Sequence, residues 1–209
     1  MAERGRAMVA GVRTVAVVGC GQMGSTIAES CARAGFPTTV VGPAPAEIRQ
    51  VAARMLAGLE AAADCGELDG PARARAGSLL WFAEDLEAVE GVDLVIACGD
   101  GPPGARGPLL AAIERSATAA AILASAVPAP LGVLSRPLSR PERLVGLRFA
   151  GLVPAGPGAR RAGALGRICE VAPAPATEPA ILVRAARFVE ALGAAAVVLE
   201  APPWRGLAA

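Results

Sequence analysis

The chain has 209 residues, enough for one domain with a sizeable core, and a formal net charge of +1. That balance, with aromatic residues at 3%, argues against nucleic acid or an acidic membrane surface as a partner, because neither phosphate-neutralising charge nor base-stacking rings are present. Five cysteines without a CxxC spacing, and no histidine at all, argue against a zinc site. They read as reduced, mostly buried thiols with no metal.

In chain order, residues 1–11 read as a flexible N-terminus without a signal-peptide apolar stretch. Residues 12–18 (VRTVAVV) form an apolar, β-branched run that predicts a buried strand. The turn Gly19-Cys20-Gly21-Gln22-Met23-Gly24 follows at once, and helical spacing then covers 25–34, with Gly35 placed as a C-terminal cap. A second strand is predicted over 36–41, with Pro37 near its start, which completes a βαβ unit. Helices are predicted over 46–63 and 72–76, a strand over 78–82, a short acidic helix over 84–90 and a strong strand over 92–98. A loop over 100–107 precedes a helix opened by Pro108, which ends at 115.

Strands are predicted next at 119–125 and 144–149, joined through a proline-broken segment. The longest apolar run, 117–127, is too short to cross a bilayer. Residues 151–166, rich in Gly, Pro and Arg, read as a mobile loop. A strand at 168–171, an amphipathic helix at 178–192 and a last strand at 195–199 complete the pattern, with 200–209 as a tail. Strands alternating with helices predict an α/β fold: a Rossmann-type, doubly wound, mostly parallel sheet in a single domain over 12–199. The expected location is cytoplasmic.

The sequence contains no His, Lys, Tyr or Asn, and all its cations are arginine. Arginine keeps its proton and cannot act as a general base. Histidine-based acid–base catalysis, lysine Schiff bases and Ser-His-Asp triads are thereby excluded.

Gly19, Gly21 and Gly24 match the dinucleotide fingerprint: a tight turn, close backbone approach to a pyrophosphate, and helix–strand contact. The free N–H groups and the dipole of the following helix favour phosphate. The candidate cofactor residues are Gly19, Gly21, Gln22, Met23, Gly24 and Gly42, and NAD is the cofactor implied. Glycine 42 stands at the end of the second strand, where an Asp or Glu usually holds the adenosine ribose. Losing such a charge-assisted hydrogen bond costs ~1.5–3 kcal/mol, or roughly 10–100-fold in affinity, so weak NAD binding is expected. No arginine follows Gly42 directly, which leaves NADP neither established nor excluded; Arg49 is a distant candidate.

Residues 15–24 (VAVVGCGQMG), Asp93–Ile96 as DLVI, 121–125 (AILAS) and 140–149 (RPERLVGLRF) occur in an order that resembles the NAD-binding domain of 3-hydroxyacyl-CoA dehydrogenases. The likeness runs from about 12 to 199, and the family's helical second domain, which supports dimerisation, has no counterpart in the chain. The resemblance implies a His–Glu pair in which histidine takes the hydroxyl proton while hydride leaves for the nicotinamide. Arg148 stands at the histidine position and Glu170 at the glutamate position. The family's Phe-Asn-Pro becomes Ala150-Gly151-Leu152 and its substrate-holding serine falls at Pro128.

Arg148 and Glu170, the candidate catalytic pair, support two readings: an ion pair in a relict cleft, or a guanidinium that fixes an anionic or carbonyl group of an acyl thioester or small acid. Cys20 and Cys98 are reactive only if their thiol pKa values are lowered. The expectation is a domain with weak or lost dehydrogenase activity, a pseudoenzyme in fatty-acid metabolism. An oxidoreductase of altered chemistry and a non-catalytic accessory or scaffold protein remain alternatives, with a homodimer or a partner subunit as the assembly.

Overall fold

Val15–Val18 (β1) buries every side chain, which an extended segment does only between two layers of helices. The structure, a computed structural model, describes residues 8–99, 101–150 and 165–200. In it β1 is joined by β2 (Thr38–Val41), β3 (Leu80–Ala83), β4 (Leu94–Ala97), β5 (Ile122–Ser125), β6 (Leu144–Ala150), β7 (Ile168–Pro173) and β8 (Ala195–Val198). The sheet order is β3-β2-β1-β4-β5-β6-β7-β8. Neighbours from β3 to β6 run parallel, β7 runs antiparallel to β6, and β8 lies parallel to β7. The chain moves outward from β1 to β3 and then returns beside β1 with β4, so the order reverses at the C-terminal ends of β1 and β4. That is where open α/β sheets bind ligands.

Six helices connect the strands: α1 (Gln22–Arg33), α2 (Pro45–Asp64), α3 (Gly70–Ser78), α4 (Pro103–Ser116), α5 (Leu131–Leu134) and α6 (Pro179–Ala191). Alternate residues of each strand serve opposite layers. Val15, Val17, Leu94 and Ile96 pack with Ile27, Met55, Leu59 and Phe188 on one face. Ala16, Val95 and Leu123 pack with Leu110, Ile113 and Leu134 on the other. On the first face the Phe36 and Phe188 rings meet edge to face at 5.3 Å.

Several boundaries differ from the sequence pattern, each for a local reason. The first strand begins at Val15 rather than 12 because the Asp93 carboxylate takes the Arg13 and Thr14 amide hydrogens at 2.9 and 3.1 Å, outside any ladder. Burial pushes the Asp93 carboxyl up, but those bonds, one from the Thr14 hydroxyl, and the Arg13 charge hold it below its ordinary value.

β5 starts at Ile122 rather than 119 because guanidinium groups occupy the preceding carbonyls. Arg140 donates to Ala119 O, and Arg143 to Thr118 O at 2.8 Å and Ala121 O at 3.2 Å. Arg143 also pairs with Glu114 of α4 at 3.2 Å, both side chains less than a tenth exposed. Glu114 in turn accepts the Ser139 and Arg140 amides.

α4 runs from Pro103 straight through Pro108. The carbonyl that proline leaves without an amide partner belongs to Gly104, on an exposed turn that solvent reaches. The acidic helix predicted at 84–90 is only a 3₁₀ turn, Leu86–Val89. The loop predicted at 151–166 lies, but for its last two residues, outside the described residues.

Candidate functional site

β1 ends in Gly19, whose φ of +115° suits glycine. A Cβ there would lie 2.9 Å from the Cys98 carbonyl carbon, and one at Gly24 only 1.9 Å from Gly19 O. Gly24 therefore lets α1 pack onto the end of β1, and Gly19 lets that end pack onto the chain after β4. α1 begins at Gln22, three residues before the sequence pattern indicated, so Gly24 lies within its first turn. Gly21 caps it without a side chain, and no acidic residue sits in that turn. The first amides of the helix are left to an anion.

Above this turn opens a cleft of about 520 Å³. Its walls are the ends of β1, β2 and β4 with Leu86 and Leu109, and Gly19, Cys20, Gly21, Gly42 and Cys98 line it. Two carboxylates that the strand-end rule did not single out, Glu47 and Glu84, border the same space. Of the residues predicted for the cofactor, Gly19, Gly21 and Gly42 face the cleft. Gln22 instead lines a separate cavity of about 150 Å³ with Ser25, Thr26, Glu29, Arg54 and Met55. Met23 packs partly buried against the core, and Gly24 serves the helix–strand contact. In the smaller cavity, burial pushes the Glu29 carboxyl up against the opposing pull of Arg33 at 3.5 Å.

The Cys20 and Cys169 thiols are not activated. Burial raises the Cys20 pKa, and its hydrogen bond to Glu47 at 3.5 Å raises it further. Burial also pushes Cys169 up to about 12. All five cysteines are free thiols, and Cys65 alone among them is exposed. Among the described residues no cluster of three Cys, Asp or Glu could hold a metal, and no helix is long and apolar enough to cross a membrane.

Farther along the sheet, the antiparallel register places Arg148 of β6 directly opposite Glu170 of β7. The guanidinium clasps the carboxylate with two hydrogen bonds, Nε to Oε2 at 2.7 Å and Nη2 to Oε1. Arg148 is half exposed. The pair borders a small recess with Ser125, Ala126, Pro128, Gly146 and Ala172. The Ser125 hydroxyl at its floor is buried and has no hydrogen-bond partner among the described residues. The recess and the large cleft lie on neighbouring strand ends, since the Ala126 amide donates to Ala97 O at 3.0 Å, one residue before Cys98.

Residues 14–201 match the family model for the NAD-binding domain of 3-hydroxyacyl-CoA dehydrogenase. The chain belongs to this family. A 3-hydroxybutyryl-CoA dehydrogenase of Mycobacterium tuberculosis strain H37Rv is 37% identical over 145 residues, which are 68% of this chain and 51% of that protein. The crystal structure of M. tuberculosis FadB2 superposes with a TM-score of 0.80 at 30% identity, covering 90% of this chain and 64% of that one. A (S)-3-hydroxybutyryl-CoA dehydrogenase from Ralstonia eutropha shares the fold at TM-score 0.81 and 20% identity, covering 92% and 65%.

The chain thus spans about half the length of the curated relatives it matches and less than two thirds of the two solved ones named. As a 3-hydroxyacyl-CoA dehydrogenase NAD-binding domain it keeps the glycine turn, whose Gly19 and Gly24 are packed against backbone, and the start of α1, which no side chain caps and which lies beside the cleft, fits an anionic group such as the diphosphate of the cofactor.

Proposed function

We propose that this chain holds NAD(H) in the cleft at β1 and β4, and that its site beside the nicotinamide end cannot run the proton transfer of 3-hydroxyacyl oxidation at an ordinary rate. The observation that carries this is the Arg148–Glu170 pair, locked by two hydrogen bonds where the family resemblance places a histidine and its glutamate. Bound NAD supplies a hydride acceptor. The protein's own residues do the rest: α1 amides and the glycine turn hold the diphosphate, and Glu170 orients Arg148. Arg148 presents positive charge and N–H donors to a substrate oxygen, yet it neither accepts nor returns a proton.

Without positioned acid–base help, turnover falls ~10²–10⁴-fold. Gly42 in place of an acid lowers NAD affinity roughly 10–100-fold relative to acid-bearing relatives.

A second reading draws on the buried Ser125 hydroxyl in the recess beside Arg148. Serine and guanidinium together are suited to hold a ketone oxygen while it is reduced, with water as the proton donor. An accessory role, with a partner subunit or second copy completing the acyl site, fits the first reading.

Fluorescence titration with NADH and a turnover assay with acetoacetyl-CoA test both. Saturable NADH binding with turnover at least ~10²-fold below a histidine-bearing relative is the expected result. Vigorous wild-type turnover would refute the impaired-chemistry reading, and turnover abolished by Ser125→Ala and Arg148→Ala together would favour the second.

A further inference from the structure

The acid missing at the end of β2 has a replacement within reach of the same cleft. Position 42 itself is tightly packed. A Cβ there would come within 2.7 Å of Ile48 Cδ1 and 3.0 Å of Cys20 Sγ, and both side chains are buried. Aspartate at 42 would require the side-chain ends of Ile48 and Cys20 to shift.

Glu47 comes from the first turn of α2, five residues on, and lines the cleft with Gly19, Gly21, Gly42 and Pro43. Its Oε2 accepts the Cys20 thiol at 3.5 Å, which brings the carboxylate to the glycine turn. Cys20 is tied down in turn from α2, where Arg54 donates to its carbonyl at 3.2 Å.

We propose that Glu47 accepts hydrogen bonds from the adenosine ribose hydroxyls, taking the role that Gly42 cannot fill, and that the cleft thereby selects NAD over NADP. This rests on the cofactor reading above and adds to it a residue and a specificity. Two ribose hydroxyls are donors, and a carboxylate has acceptor sites for both without any proton changing hands. A 2′-phosphate would meet the opposite situation. The described residues that line the cleft include two carboxylates, Glu47 and Glu84, and no arginine. A dianionic group placed there faces like charge from the lining, and the guanidinium of Arg54, outside that lining, is engaged by the Cys20 carbonyl. Glu47 recovers part of the affinity lost at Gly42, because it reaches the ribose from a flexible side chain rather than a strand end.

The test is fluorescence titration of the whole chain with NADH and with NADPH, for wild type, Glu47→Gln, Glu84→Gln and, as a distant exposed control, Glu90→Gln. Wild type is expected to bind NADH at least tenfold more tightly than NADPH. Glu47→Gln should weaken NADH about tenfold, leave NADPH unchanged or improved, and so erase most of the preference; Glu90→Gln should change neither.

NADH affinity unmoved by Glu47→Gln, with wild type binding normally, would overturn the assignment and leave the cofactor reading standing. The same follows if Glu84→Gln produces the whole effect or if wild type prefers NADPH. If wild type binds neither dinucleotide at millimolar concentration, the cofactor reading falls and the assignment falls with it. Circular dichroism of each variant separates lost binding from lost fold.

Discussion

The two ends of functional interest on this sheet are made of different material. At β1 the shape is set by backbone: two glycines that leave no space for a Cβ, and a helix start whose amides point outward. At β6 and β7 it is set by side chains, a guanidinium and a carboxylate brought opposite one another by register. A backbone-built site survives drift in its surroundings as long as its glycines persist. A side-chain-built site is rewritten by one substitution while the strands beneath it stay as they were. This chain carries one site of each kind, a few strands apart.

Substitutions can break or sharpen that contrast. The largest effect is expected from a charge that is architectural. Arg143→Ala leaves Glu114 buried without its partner and should cost about 3–5 kcal/mol in denaturant unfolding, far more than any change at Arg148. Gly24→Val drives a side chain into Gly19 O, which lies 1.9 Å from the first added carbon. NADH affinity measured by titration should fall by roughly 100-fold or more, about 3 kcal/mol.

Arg148→His returns a proton acceptor beside Glu170. Turnover of acetoacetyl-CoA with NADH should rise ~10²-fold, the low end for general acid–base help, since Pro128 still stands where the family's serine would be. No rise would place the defect elsewhere in the recess.

Asp93→Ala removes the acceptor for two amides and should cost about 1–2 kcal/mol at neutral pH. The sign of its pH dependence follows from a native pKa held below the ordinary 3.8. The contribution is fully present above that ordinary value and is lost as pH falls through the lowered one. Wild type and variant should therefore differ at pH 7 and converge in acid. The smallest effect belongs to Arg148→Ala: a half-exposed pair contributes at most about 1 kcal/mol to stability, and NADH affinity should stay within about twofold.

Much of this could be read from the residues alone. The run before Gly19, the three glycines and the Gly35 cap announce local geometry, because a φ above zero or a missing Cβ leaves a mark on residue choice. Arg148 and Glu170 were legible as a pair only through the resemblance, and their register then placed them face to face. Glu47 was hidden for a physical reason. The pattern rule looks for an acid at the strand end, whereas this one reaches the cleft from the next helix, past space that Cys20 and Ile48 fill. The strand starts at Val15 and Ile122 were equally hidden, since the side chains that end the ladders come from 79 residues away in one case and 21 to 25 in the other. Such long-range capping leaves no periodic trace.

The Arg143 fork carries a consequence for how the chain tolerates change. Its donors serve Glu114 and two carbonyls together, a planar arrangement that a lysine ammonium on a thin stem does not reproduce. Arg→Lys exchange, usually among the mildest replacements, is open to surface arginines and closed at position 143. A library that recodes every arginine of this gene as lysine should therefore recover soluble protein only where that one codon reverts.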